Sequence, residues 1–138
     1  MDDLGPRDGV AIYPEGTRFT PSKRERILAK LATRAEPDLL ARARRLQHVL
    51  PPHVGGPLGL LERNRGADVV LCAHTGLEAA GSPSDLLGGQ LVGTTVRVRF
   101  WRVPHADIPR EKGARVSWLY QQWQRVDDWL GEVHPRSG

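Results

Sequence analysis

One cysteine in 138 residues, Cys72, excludes an internal disulfide and suits a reducing, cytoplasmic compartment. It lies in an apolar run and is expected to be a buried small hydrophobe rather than a nucleophile. Lysine is scarce as well, since 17 of the 20 basic residues are arginine. That skew fits a GC-rich coding sequence as well as a functional demand. No stretch approaches the roughly 18 consecutive apolar residues of a membrane span. The opening Met1-Asp2-Asp3-Leu4-Gly5 is acidic, with no basic region ahead of an apolar one, so no signal peptide is expected. Internal repeats and low-complexity tracts are absent. No His, Cys, Asp or Glu cluster has metal-ligand spacing, and no Ser-His-Asp arrangement can be drawn.

What is present is an ordinary globular composition, 39% hydrophobic and 26% charged, in a length that suits one domain over residues 1–138. The net charge of +4 and the pI near 9.8 favour anionic partners, which include phosphate groups, acidic lipid surfaces and nucleic acid. Plain solvated surface charge accounts for the surplus equally well.

Val10-Ala11-Ile12-Tyr13 reads as a short buried strand ending at Pro14. Ser22-Lys23-Arg24-Glu25 reads as a capping box, ahead of a helix with Ile27, Leu28 and Leu31 on one face. Pro37 suits a first helical turn. Leu39, Ala43, Leu46 and Leu50 recur at helical spacing, which predicts a second helical segment to about Val49. Arg42, Arg44 and Arg45 occupy its other face, as a solvated surface or as a contact for anionic lipid. Leu50 to Pro57 is a Pro/Gly loop, Leu58–Arg63 a short helix stopped by Gly66, and Ala67–Ala73 a buried strand ended by His74-Thr75-Gly76. Ser82 to Leu87 looks like one capped turn. Thr94–Val103 alternates, with Val96, Val98 and Phe100 on one face and Arg97 and Arg99 on the other, as a half-exposed strand does. From about Ala114 to Val133 a helix carries Leu119, Trp123, Val126 and Leu130 as a stripe, widened by Trp118 and Trp129. Together these elements predict an α/β chain.

The heptapeptide Tyr13-Pro14-Glu15-Gly16-Thr17-Arg18-Phe19 concentrates the chemistry. Arg18 can give two parallel bonds to phosphate oxygens. Gly16 lets backbone come close, and amides around Gly16 and Thr17 can add donors. Glu15 beside an anion suits orienting Arg18 or the turn, or accepting from a glycerol hydroxyl. By residue type alone, a surface turn and an anion-binding corner both remain open.

The stretch Pro14-Glu15-Gly16-Thr17-Arg18-Phe19-Thr20 resembles the phosphate-binding block of the lysophospholipid (1-acylglycerol-3-phosphate) acyltransferases. Further blocks follow in order. Leu50-Pro51-Pro52-His53-Val54-Gly55-Gly56 is similar to a Leu-Pro, basic, glycine block, with His53 where arginine is more usual. The strand into His74-Thr75-Gly76, then Arg97 to Pro104, Ile108-Pro109, Trp118-Leu119 and Asp127-Asp128-Trp129-Leu130, look like the rest of the C-terminal portion.

The resemblance implies a partial acyltransferase-like fold: a short mixed sheet, flanking helices and a long amphipathic C-terminal helix. It implies Glu15, Gly16, Thr17 and Arg18 as the substrate-phosphate site, with no metal and no bound cofactor. The co-substrate would be acyl-CoA or acyl carrier protein. The acceptor would be a lysophosphatidate-like lipid in phospholipid synthesis, met by peripheral contact at the cytoplasmic membrane face.

The family's Asn-His-x4-Asp block, whose His serves as general base, has no counterpart. His48, His53, His74, His105 and His134 all follow the turn, none has Asp five residues on, and each is expected to be structural or at the surface. No catalytic residue is therefore assigned. The chain is expected to match the C-terminal part of such a domain, as a fragment, a split-gene product with an upstream half-domain as partner, or a degenerate paralogue. A non-catalytic module binding anionic lipid through Arg18 and the Arg42/Arg44/Arg45 face is the alternative. Nucleic acid is not expected, because the tryptophans fall at core spacing on a helix rather than on a stacking platform.

Overall fold

The computed structural model describes residues 5–15, 19–76, 88–89 and 92–134. The predicted turn over Ser82–Leu87 lies outside these residues. Among the described residues the fold is mixed α/β. Helices α1 (Pro21–Arg34), α2 (Pro37–Arg45) and α3 (Gly55–Arg63) precede strands β1 (Val69–Thr75) and β2 (Arg97–Val103). A 3-10 turn, His105–Asp107, then leads into the long helix α4 (Lys112–Val133). The sheet is an antiparallel pair rather than a mixed one, with Cys72 opposite Phe100 and Leu71 opposite Trp101.

Helix α1 begins earlier than the predicted box. Thr20, extended at its own φ and ψ, accepts from the Lys23 amide at 3.2 Å, and Pro21 occupies the first turn. Ser22 is already inside the helix, and Glu25 is exposed 4.0 Å from Arg24 rather than closing a box. No α1 residue is fully buried. Arg24 ties the helix down, its Nε donating to the Leu46 carbonyl at 2.7 Å and Nη2 to that of Arg44 at 2.8 Å.

Helix α2 stops at Arg45, short of the predicted Val49. Leu46, Val49 and Leu50 are buried as their spacing requires, but on bent, irregular chain in which the amides of residues 47–50 bond to distant side chains. Asp38 in its first turn and Arg42, Arg44 and Arg45 in its last complement the helix dipole. Helix α3 takes in Gly55 and Gly56, three residues before the predicted start at Leu58. After it, the Asn64 side chain accepts from Gly66 and Ala67 amides and donates to the Ala67 carbonyl, closing the turn into β1.

The stretch 10–13 is not a strand. Val10 (51% exposed), Ile12 (42%) and Tyr13 (84%) lie on the surface. Apolar residues alone do not make a strand, and among the described residues no strand lies beside this segment to pair its backbone.

Helix α4 is the element the others share. It packs on β1, α2 and α3, and so buries more than the predicted stripe: Trp118, Leu119, Tyr120, Gln122, Val126 and Asp127 are all covered. Burial pushes the Tyr120 phenol up to about 12. Leu71 and Ala73 of β1 and Val103 of β2 complete the core against it. Trp101 meets Trp129 edge-on at 6.2 Å, and the Arg99 guanidinium lies 5.0 Å from the Trp101 ring centre.

The alternation predicted for β2 is present, but the covered face carries Trp101 and Val103. Val98 and Phe100 point outward, 49% and 66% exposed. Cys72 shares that outer face and is exposed, contrary to the buried position expected of it. The strand is apolar at both parities near its end, and the partner strand decides which wins: Leu71 and Ala73 face α4, so the residues opposite them must too.

Gly76 follows β1 at φ +96°, a conformation that disfavours side chains. A Cβ there would stand 2.1 Å from the Thr95 carbonyl oxygen. Gly76→Ala is expected to cost about 2–4 kcal/mol in urea unfolding. A loss under about 1 kcal/mol would mean that the strand ends simply move apart.

Candidate functional site

The turn singled out by sequence divides at its middle. Pro14 and Glu15 are described, whereas Gly16, Thr17 and Arg18 lie outside the described residues. Glu15 is half-buried and bonded to the protein's own backbone. Its Oε2 accepts from the Leu50 amide at 3.1 Å, and the Pro14 carbonyl accepts from the His53 amide at 2.8 Å. Glu15 therefore anchors its turn to the Leu50-Pro51-Pro52-His53 stretch, which is one of the roles its residue type allowed. Burial raises its carboxyl above the ordinary range. The Leu50 hydrogen bond acts against that shift, and the nearby Asp127 charge adds to it.

The stretch 46–53 is the floor under this turn. Leu46, Val49, Leu50, Pro51 and Pro52 are buried, so its backbone groups must find partners inside the protein. Asp127 of α4 supplies three of them. One carboxylate oxygen accepts from the amides of Gln47 (2.9 Å), His48 (2.6 Å) and Val49 (3.1 Å). Four residues earlier on the same helix face, Trp123 donates its indole N–H to the Leu50 carbonyl at 3.0 Å. Arg24 covers the Leu46 carbonyl from the other side. A short irregular segment is thus held by side chains of α1, α4 and the Glu15 turn.

The histidines take varied places. His48 packs its ring against Gly131, where a Cβ would meet Nε2 at 3.1 Å. His53 and His74 are exposed. His134 bonds through Nε2 to the buried Thr75 hydroxyl, tying the end of α4 to the end of β1. His105 lies in the 3-10 turn, its amide donating to Asp68 at 2.8 Å. That bond, followed by those from Arg102, holds the Asp68 carboxyl below the usual range. Among the described residues no group of His, Cys, Asp and Glu could hold a metal ion. Among them, too, no helix is long and apolar enough to cross a membrane.

Sequence reasoning used Asp127 only as part of a C-terminal block and missed its role. The signal was a carboxylate set between Trp123, Val126 and Leu130 on an apolar helix face. A charge in that position requires a polar partner inside the fold.

Asp127→Ala strands three amides, one of them the fully covered Val49 N–H, and is expected to cost at least about 3 kcal/mol in urea unfolding. Asp127→Asn keeps an acceptor and should lose less. For Glu15 the sign is opposite to that of an ordinary salt-bridged acid. The folded protein holds its proton more tightly than the unfolded chain, so stability falls as pH rises from about 4.5 through the raised value. Glu15→Gln retains an oxygen for the Leu50 amide and removes that decline, so its stability relative to the parent should grow with pH. Glu15→Ala should instead lose about 1–3 kcal/mol, because it leaves a buried amide unbonded. A parent-minus-Gln difference that stays flat from pH 4 to 8 would contradict the assignment.

Compared with protein-family models, with curated protein sequences and with solved structures, the chain matches none.

Proposed function

We propose that this chain carries the phosphate-binding part of an acyltransferase-like domain. In this reading Arg18 and the backbone around Gly16 and Thr17 hold the phosphate of a lysophosphatidate-like acceptor. Acyl-CoA or acyl carrier protein delivers the acyl group. The general base comes from a partner half-domain, since no histidine described above is paired with a carboxylate in a way that would make it one.

The observation that carries this reading is the joining of Glu15 to Leu50 and of Pro14 to His53. Two stretches that separately resemble blocks of one family, 35 residues apart in sequence, lie against each other. Glu15 has a reason to be in an anion-binding turn, because it fixes the turn to the floor and leaves ligand contact to the residues after it. The outer sheet face, with Val70, Val98 and Phe100, offers an apolar surface to a partner half-domain.

A second reading rests on α2. Arg44 and Arg45 are exposed and form no ion pair among the described residues. A non-catalytic module could meet anionic lipid through them, aided by Arg18.

Two assays separate the readings. Acyl transfer to a lysophosphatidate is measured with the purified chain, alone and with a separately expressed acyltransferase N-terminal half. The first reading expects activity only in the mixture, and binding of the acceptor weakened by about 1.5–3 kcal/mol in Arg18→Ala. The second expects no transfer, with vesicle binding that fades with salt and in Arg44→Gln/Arg45→Gln. Vesicle binding indifferent to salt and lipid charge, together with no acceptor binding, would remove both.

A further inference from the structure

We propose that a second oxyanion site, separate from the Glu15–Arg18 turn, lies where the 3-10 turn meets the start of α4. A recess of about 50 Å³ opens there between Leu61, Asn64, His105, Ile108, Arg110 and Arg115. At roughly 10–15 Å³ per water-sized sphere, it has space for about three to five such groups, the scale of a tetrahedral oxyanion.

Two features of its wall point to an anion, the first and third below, and the other supplies a reporter. The Arg115 guanidinium is half-buried and is aimed by its Nε, which donates to the Pro109 carbonyl at 2.8 Å. That bond leaves the two terminal nitrogens as a fork, and no carboxylate pairs with them among the described residues. A half-buried cation without a counter-charge is costly, and an oxyanion would supply one. Second, the His105 Nδ1 is buried and has no hydrogen-bond partner among the described residues. That nitrogen has almost no accessible surface, so His105 lines the recess and reports on an occupant rather than bonding it through Nδ1. Third, Arg110 contributes a further cation, exposed at the rim.

The surrounding groups do not oppose this. Asp107 and Glu111 do not line the recess. The Asp68 carboxylate beside the His105 amide is already engaged by Arg102. The Asn64 side chain spends its hydrogen bonds on Gly66 and Ala67 and serves only as wall. Arg115 lies in the first turn of α4, where the helix end adds to the positive field. The ligand class is a phosphate or phosphate monoester, taken free or at the end of a lipid headgroup.

The test titrates inorganic phosphate into the full chain at constant ionic strength, with chloride as the comparison. It follows the His105 ring resonances by NMR and thermal unfolding in parallel. A saturable His105 shift and a raised melting temperature are expected with phosphate and not with chloride. Arg115→Lys, which loses the planar fork, should weaken binding at least about tenfold. If that variant is misfolded by circular dichroism, Arg110→Gln, altered at an exposed side chain, decides the matter through a severalfold weakening. Arg18→Ala should leave the His105 response intact, which keeps this site distinct from the turn. Glycerol 3-phosphate and phosphatidate vesicles, titrated in turn, show whether the free or the lipid-borne group binds better. Absence of a saturable His105 shift, or a shift abolished by Arg18→Ala and untouched at Arg110 and Arg115, would overturn the proposal.

Discussion

A single carboxylate oxygen of Asp127 gathers the amides of Gln47, His48 and Val49, and the rest of the fold is arranged around that cluster. The segment it holds is neither helix nor strand, yet its side chains are among the most deeply covered in the molecule. Regular structure satisfies its own backbone, but an irregular buried segment cannot. The polar groups along 46–53 named above are met by three elements: Arg24 from α1, Trp123 and Asp127 from α4, Glu15 and Pro14 from the turn. The segment is therefore where the pieces are registered against one another. Without Asp127, α2 and α4 would still have apolar faces to bury, but only the Trp123 bond to Leu50 among those named above to fix how α4 meets the segment after α2.

The sheet is built on a different principle. Two antiparallel strands have one face against α4, and their outer face remains open among the described residues. Two-stranded sheets are weak alone, so the stability of this one derives from Leu71, Ala73, Trp101 and Val103 packing on the helix. The Thr75–His134 and Asp68–His105 contacts pin its two ends to α4 and the 3-10 turn. The strands are thus paired along their whole length and covered by the long helix on one face.

Much of this was legible in the sequence wherever a pattern was periodic and long. The Leu119 to Leu130 stripe announced α4, and Pro37 with Leu39 and Ala43 announced α2. Failures came where the deciding partner is distant. Nothing local to Leu46–Leu50 says that the helix should stop; a carboxylate some 80 residues away does. Val10 to Tyr13 has the composition of a strand but, among the described residues, no neighbour to pair with. In β2 apolar residues sit at both parities, and only the register with β1 selects Trp101 over Phe100. At the turn, residue types suggested what Glu15 could do but not which atom it would reach. Thr20 outcompeted Ser22 as the cap because Pro21 suits the first helical turn and fixed the start two residues earlier.

The distance along the chain between Asp127 and its amides also sets an order of events. The contacts span 78 to 80 residues, and that of Trp123 with Leu50 spans 73. Helices α1 to α3 can flicker into shape early, but the buried backbone between α2 and α3 stays unsatisfied until α4 arrives to bond it. Long closures of this kind slow folding because chain entropy is lost before contacts compensate. During synthesis the helix that locks the first half is thus made well after it. Until then the Leu50-Pro51-Pro52 stretch, and the turn that rests on it, have no floor on which to form.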